Sequence, residues 1–409
     1  MKWINLLIFQ NTLRCWAQCS RKLSIVAFFA LNQFGAESIA QIDPLPPAPP
    51  TLVPPTPAPL PHSPLPSAPL TRGTLTSGTL THHIGATLMV GWPGTRVADP
   101  STRLLCQHLS RGQVGGVLFL RHNFQTVDQV QELTTYFSRC GARFTPLLAL
   151  DQEGGLVDRL GALPGEQNWP SAQEVGAHPL GHAAGFYRQM ADRQQDLGFT
   201  VNFGPVADLN INPANPIIGR LGRSYGTEAE AITPVLTAFI DAHRDADVAT
   251  ALKHFPGHGS SRTDSHLGFV DISATWTAQE LAPFVQMMDA AGAIMAGHLI
   301  NRQLDEQGRP ATLSPPMLTK VLRGQLGFAG PIISDDMVMK AITDLYGFDQ
   351  SVVMALSAGI DLFVHSNSGP YDPGLVDQYH ATVQAAIRDG HLRADTLTAS
   401  ATRIANWKP

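Results

Sequence analysis

The stretch "VATALKH" (248–254) runs through five small or apolar residues and ends abruptly in a lysine and a histidine. Seven other runs share its form: "IGATLMVG" (84–91), "VGGVLFL" (114–120), "PLLALD" (146–151), "TVNFGPV" (200–206), "GAIMAGH" (292–298), "GPIISDD" (330–336) and "GIDLFVHS" (359–366). Each is short, and none alternates strictly between polar and apolar residues, as expected of strands covered on both faces. Between them lie longer segments such as "VDQVQELTTYFSRCG" (127–141), "AEAITPVLTAFIDAHRDA" (229–246) and "DQSVVMALSAG" (349–359). Their apolar residues recur every three or four positions, the helical spacing. Strands alternating with helices imply a parallel sheet. Eight units point to an α/β fold with a single closed (β/α)8 TIM-type barrel over residues 80–409, and a doubly wound sheet is the competitor.

The barrel reading places chemistry at the C-terminal ends of the strands. Polar residues stand at those ends: Asp151, Lys253 with His254, His298, Asp335 with Asp336, and Ser366. The opposite ends carry glycine, proline or threonine. A strand must also end somewhere, so polar termini alone are weaker evidence than their position.

Composition narrows the class. The 409 residues carry a net charge of −5 and are 44% apolar. No basic run supports a nucleic-acid partner. Cys15, Cys19, Cys106 and Cys140 fit neither a zinc spacing nor a disulfide framework, although a single Cys106–Cys140 bridge is allowed. Residues 1–40 read as a targeting segment: Arg21 and Lys22, the apolar run "LSIVAFFAL" (23–31), and small residues before a cut after Ala40. The run is too short to span a bilayer, which takes about 20 apolar residues. Residues 41–79 read as a disordered proline-rich linker, with 13 prolines between Asp43 and Leu70. Such a tether reaches on the order of 90 Å as polyproline II. Export to a periplasmic or extracellular location is the expectation; a cytoplasmic location follows if the segment is not a working signal.

Three stretches carry candidate chemistry. In "IISDDM" (332–337) two adjacent acids point in opposite directions, because strand side chains have period two. One can face the mouth as a nucleophile; alternatively both cap a following helix, "MVMKAITDLYG". In "LDQEGGLVDRL" (150–160) Asp151 and Arg159 suit a polyol, though a plain ion pair would explain them equally. In "KHFPGHGSSRTDSH" (253–266) Asp264 and His266 stand two apart and can pair on a loop, making a general acid–base dyad. Zinc held by His254, His258 and His266 is the metal alternative, and no H-E-x-x-H or cysteine spacing supports it.

Together with "NPIIGRLGRSYG" (215–226), these stretches resemble glycoside hydrolase family 3, in particular its N-acetyl-β-glucosaminidase branch. The resemblance covers residues 80 to 408 in the family's order. It implies a single barrel and a retaining exo-β-N-acetylhexosaminidase acting on peptidoglycan- or chitin-type glycans, with no metal or organic cofactor. Asp335 would be the nucleophile and His266, oriented by Asp264, the acid–base. Asp151, Arg159, Arg223, Lys253 and His254 match positions that bind the terminal sugar. Leu156 stands where the family often has arginine, and Ser260-Ser261 where it often has Asp-Thr. Rival readings are a β-N-acetylglucosaminide phosphorylase, a broader β-glucosidase, a substrate-assisted mechanism through Asp335 and Asp336, and a non-catalytic glycan-binding module on the tether.

Overall fold

A computed structural model describes residues 77–141 and 145–407. The targeting segment and nearly all of the proline-rich linker lie outside the described residues. Eight strands form one parallel sheet in the order β7-β6-β5-β4-β3-β2-β1-β8: β1 (Leu88–Val90), β2 (Gly116–Leu118), β3 (Leu147–Leu150), β4 (Val201–Asn202), β5 (Ala249–Phe255), β6 (Gly292–Ala296), β7 (Ile332–Ser334) and β8 (Phe363–His365). A parallel bridge between Ile333 and Leu362 joins β7 towards β8, so the sheet nearly closes on itself. This is the (β/α)8 architecture, and every apolar run of the sequence contributes its strand.

The helices are α1 (Ser77–Ala86), α2 (Pro100–Ser110), α3 (Val127–Ser138), α4 (Ala172–Gly176), α5 (Leu180–Asp196), α6 (Ala229–Asp245), α7 (Ala282–Ala291), α8 (Lys340–Thr343), α9 (Phe348–Ala358), α10 (Leu375–Arg388) and α11 (Ala394–Trp407). Pro316–Gln325, between β6 and β7, winds as a π-helix. Local chemistry accounts for their limits. Thr126 caps α3 by accepting the Gln129 amide at 3.2 Å, and α3 then buries Val130, Leu133 and Phe137 at helical spacing. Gly359, at a φ of 111°, ends α9 in the left-handed conformation that glycine adopts without a side-chain clash.

Two expectations needed adjustment. The run "IGATLMVG" is helical through Ala86, and only Leu88–Val90 forms strand. After β7 the chain makes a turn rather than a long helix. Only Lys340–Thr343 is helical, with Met339 at its N-cap, so neither Asp335 nor Asp336 caps it.

Strand alternation divides the core in two. Met89, Leu118, Ala149, Val201, Phe203, Ala251, Met295, Ile333 and Val364 fill the barrel, together with Trp407. The other strand residues, including Leu88, Val117, Leu148, Leu252 and Ile294, pack outward under the helices. Trp407 closes the N-terminal end, donating from its indole to the Thr250 carbonyl at 3.1 Å. A cavity of about 420 Å³ opens beside it, lined by Arg244, Arg403 and apolar residues. That cavity lies at the opposite end of the barrel from the strand-end acids.

Asp361 ties the seam. Its buried carboxylate accepts from the Ile332 amide at 2.9 Å, Arg323 at 2.5 Å, Ser400 at 2.6 Å and Arg403 at 2.6 Å. A cross-link also exists between Cys106 in α2 and Cys140 just after α3, across 34 residues of chain. The pairing that the cysteine spacing left unindicated is therefore present.

Replacing Asp361 with Asn leaves two guanidinium groups without their counter-ion and should cost about 3 kcal/mol or more, read as a lowered denaturation midpoint. An unchanged midpoint would show the node to be dispensable. Reducing the bridge should remove about 4 kcal/mol by the loop-entropy relation, a drop of several degrees in Tm; equal melting with and without reductant would refute its role.

Candidate active site

The inward-facing positions of β5 are Ala249 and Ala251, so the same alternation turns Lys253 into the mouth. Its ammonium is only 2% exposed and meets Asp151 Oδ1 at 2.8 Å and Glu153 Oε1 at 2.6 Å. Glu153 in turn takes a forked pair from Arg223, at 2.7 Å and 2.8 Å. Arg223 also donates to the Ile217 carbonyl at 3.0 Å. Burial pushes the Glu153 carboxyl upward, but Arg223 and Lys253 outweigh it and hold the group well below the usual carboxylate range. The Lys253 ammonium loses hydration by burial, and Asp151 and Glu153 more than compensate, raising its pKa. Arg159 lies 3.9 Å from Asp151 Oδ2, a looser contact at the edge of the same cluster.

The loop that brings these acids in is braced by Asp158. It accepts from the Gln152 side-chain Nε2 at 2.9 Å, the Gly161 N–H at 2.8 Å and the Trp169 N–H at 3.0 Å. Gly154 and Gly155 have φ of 94° and 60°, and a Cβ on Gly154 would lie 2.1 Å from the Pro170 carbonyl. Glycine is required there for the tight turn.

His254 follows Lys253 through a cis peptide bond. Asp208, wholly buried, accepts from His254 Nδ1 at 2.7 Å and from the His254 and His258 amides at 3.1 Å and 2.8 Å. This holds the imidazole with its Nδ1 hydrogen on the acid and leaves Nε2 to other partners. Burial raises the Asp208 carboxyl, and His254 overcomes it, so its pKa is lowered.

Asp335 and Asp336 diverge as alternation requires. Ile333 points into the barrel, and Asp335 is next on that side. Burial pushes its carboxyl up, but His298, His254, the Asp336 amide and His266 together pull it down to about 2. The Asp336 carboxylate instead accepts the Ser366 N–H at 2.9 Å and the Val338 N–H at 3.3 Å. Burial raises it to about 6. His298 bridges the two strand ends, with Nδ1 on Thr312 at 2.8 Å and Nε2 on the Asp336 carbonyl at 2.9 Å. Burial keeps its imidazole below the ordinary range.

Asp264 and His266 pair as their spacing suggests. Asp264 Oδ1 accepts both the His266 amide and its Nδ1 at 2.8 Å. The His266 side chain is 57% exposed, on the loop that follows β5. The loop leaves β5 at its C-terminal end, and Ala341, in the segment that follows Asp335 and Asp336, donates its N–H to the Ser265 carbonyl at 3.3 Å, so the dyad stands at the same mouth. The three histidines of the zinc alternative are otherwise engaged. His258 places its ring nitrogens on Ser261 at 2.8 Å and Ser265 at 3.3 Å, and His254 and His266 each pair with an aspartate. Among the described residues no group of three metal-ligating side chains converges.

Asp151, Arg159, Arg223, Lys253, His254, Asp335, Asp264 and His266 thus all sit on loops and strand ends at one face. Sequence reasoning missed Glu153 and Asp208 as members of the site, and placed His298 at the strand-end rim without giving it a role. Glu153 stood within a quoted stretch, and His298 had the signal of ending a strand run. Asp208 lies just past the run ending at Val206 and carried no such signal.

The chain matches the family description "Glycosyl hydrolase family 3 N terminal domain" over residues 88–407. It is 29% identical over 334 residues to beta-hexosaminidase A of Pseudoalteromonas piscicida, covering 74% of this chain and 54% of that enzyme. It is 34% identical over 295 residues to the beta-hexosaminidase of Alkalilimnicola ehrlichii, covering 68% of this chain and 80% of the relative. Among solved structures, a family 3 beta-N-acetylglucosaminidase from Paenibacillus sp. superposes with a TM-score of 0.74 at 30% identity, over 80% of this chain and 62% of that one. The chain therefore spans about half the length of the first relative and most of the second. With a matching family description over most of its length and the barrel in place, the chain belongs to glycosyl hydrolase family 3.

Proposed function

We propose that this chain is a retaining exo-β-N-acetylhexosaminidase that releases terminal non-reducing N-acetyl-β-D-glucosamine from peptidoglycan- or chitin-type glycans. What supports this reading is the buried strand-end Asp335 together with the Asp264–His266 pair on the loop after β5. Asp335 is buried and anionic at a strand end, and an imidazole–carboxylate dyad stands within its electrostatic reach. The beta-hexosaminidase names of the relatives support the same substrate class.

In the first step an Asp335 oxygen attacks the anomeric carbon while His266 gives its Nε2 proton to the leaving oxygen, breaking the glycosidic bond. His266, now neutral, then takes a proton from water, whose oxygen displaces Asp335 and regenerates the carboxylate. Asp264 holds the Nδ1 proton throughout and stabilises the imidazolium. Lys253, Asp151, Arg159, Arg223 and His254 bind the hydroxyls and acetamido group of the sugar, with Glu153 keeping the two buried cations in place.

A substrate-assisted route would need a second acid to orient the acetamide. Asp336 is committed to the Ser366 and Val338 amides, which favours direct attack by Asp335.

Export to an oxidising compartment accompanies this reading. The apolar run 23–31 supports it, as does the Cys106–Cys140 bridge, since such bridges persist outside reducing compartments.

A fluorinated N-acetylglucosaminyl donor should add one glycosyl mass to the peptide containing Asp335. Asp335→Asn should abolish that adduct and lower turnover at least about a thousandfold. A label on another residue would overturn the assignment, and an unhydrolysed aryl N-acetyl-β-glucosaminide would favour a binding module. His266→Ala should lower kcat/KM about 100-fold or more for N,N′-diacetylchitobiose, whose leaving group needs a proton, and leave a 2,4-dinitrophenyl glycoside nearly unaffected. With phosphate present the product should remain free N-acetylglucosamine; its 1-phosphate would mark a phosphorylase instead. Mass analysis of the protein purified from whole cultures of its native host should find an N-terminus at Gln41, and an intact Met1 would contradict export.

A further inference from the structure

The loop after β5 divides into a buried base and an exposed tip. Gly257 to Ser261 are buried, and so is Ser265, whereas Arg262, Thr263 and His266 are exposed. Ser265 is the residue between the members of the dyad. Ser265 lies in a turn closed by the Leu267 N–H on the Asp264 carbonyl at 3.1 Å, and that turn leaves His266 exposed while burying Ser265. Its carbonyl accepts the Ala341 N–H at 3.3 Å, and its hydroxyl meets His258 Nε2 at 3.3 Å. His258 turns its other nitrogen to Ser261 Oγ at 2.8 Å.

The base has a second anchor. Glu280, in the single turn Ala278–Leu281, is buried and accepts the Ser260 N–H at 3.1 Å through Oε2. Gly257 packs on this side chain so closely that a Cβ there would lie 2.6 Å from Glu280 Cβ. Glu280 Oε1 and Ser260 Oγ are both buried without a hydrogen-bond partner. With no counter-ion among the ion pairs described above, burial pushes the Glu280 carboxyl up to about 7.

We propose that His258 and Glu280 are positioning residues that form a buried clasp, pegging Ser265 and Ser260 so that Asp264 and His266 are presented to the mouth in register. The proposal rests on His266 being the acid–base. Burial keeps the His258 imidazole down at about 4, so in neutral solution it is uncharged. It then carries one donor and one acceptor, which lets it join two serine hydroxyls at once. Ser260-Ser261, the pair that departs from the resembling family's usual Asp-Thr, supplies one contact to each half of the clasp.

The test compares kcat/KM for two substrates. N,N′-diacetylchitobiose needs a protonated leaving group, and 2,4-dinitrophenyl N-acetyl-β-glucosaminide does not. Ser265→Ala and Glu280→Ala should each lose roughly five- to tenfold on the first and less than about twofold on the second, the scale of one lost hydrogen bond in an oriented site. Glu280→Gln keeps an acceptor for Ser260 and should restore most of the chitobiose activity. Ser265→Ala removes one oxygen and keeps the proposal testable if Glu280→Ala fails to fold. Equal losses on both substrates would mean a merely structural role, and no loss on either would mean no role; both overturn the clasp. His266→Ala is the control. If that variant shows no difference between the two substrates, the acid–base assignment has failed, whatever the clasp variants do.

Discussion

A carboxylate as deeply buried as that of Glu153 remains an anion only because Arg223 and Lys253 lie against it. The three groups come from three places in the chain: the loop after β3, the long loop after β4, and β5 itself. Removing Glu153 would leave the buried Arg223 without its carboxylate in a low-dielectric setting, a cost of several kcal/mol. The cluster therefore fixes how these loops fold over the barrel. It also holds Asp151 and Lys253 together at the mouth. The placing of the Asp264–His266 pair depends on this constraint because β5 carries both Lys253 and the loop that bears His266.

On the far side of the mouth the same physics acts with imidazoles. Asp335 gains no close ion pair; His298, His254 and His266 surround it and together overcome the cost of burial. Its neighbour, one residue on and turned outward, accepts backbone amides, but burial outweighs them and pushes it the other way, to about 6. Adjacent acids thus acquire opposite character from a single step of strand alternation. Asp208 does comparable work a layer below, fixing His254 and the start of the loop after β5 with one carboxylate.

The departures from the resembling family fall outside the reacting groups. Leu156 is 73% exposed near the tip of the Gly154–Gly155 turn and outside the ion cluster. Ser260 and Ser261 are buried at the base of the loop bearing the dyad, where small side chains fit against Glu280, His258 and Asn215. The second departure lies at the base of that loop and leaves the dyad intact.

The architecture was legible because a parallel barrel writes itself locally. Each strand is a short apolar run, each helix has a 3.6-residue rhythm, and polar residues cluster at one end of the runs. Asp264 and His266 were legible for the same reason, being two positions apart on one segment. The opposite facing of Asp335 and Asp336 also follows from period two alone. Other features arise only from contacts distant in sequence. Arg223 and Glu153 are 70 residues apart, His254 and Asp208 46, and His258 meets Asn215 and Ser265 only once the loops are packed. A lone Glu or Asp within a loop has no periodicity to announce its role. Whether it is a solvated charge or the counter-ion of a buried cation is decided by what the fold places within 3 Å of it. The sequence alone therefore determined the barrel and the residues able to carry the chemistry, and tertiary packing decided which charges survive burial and which way the loops present them.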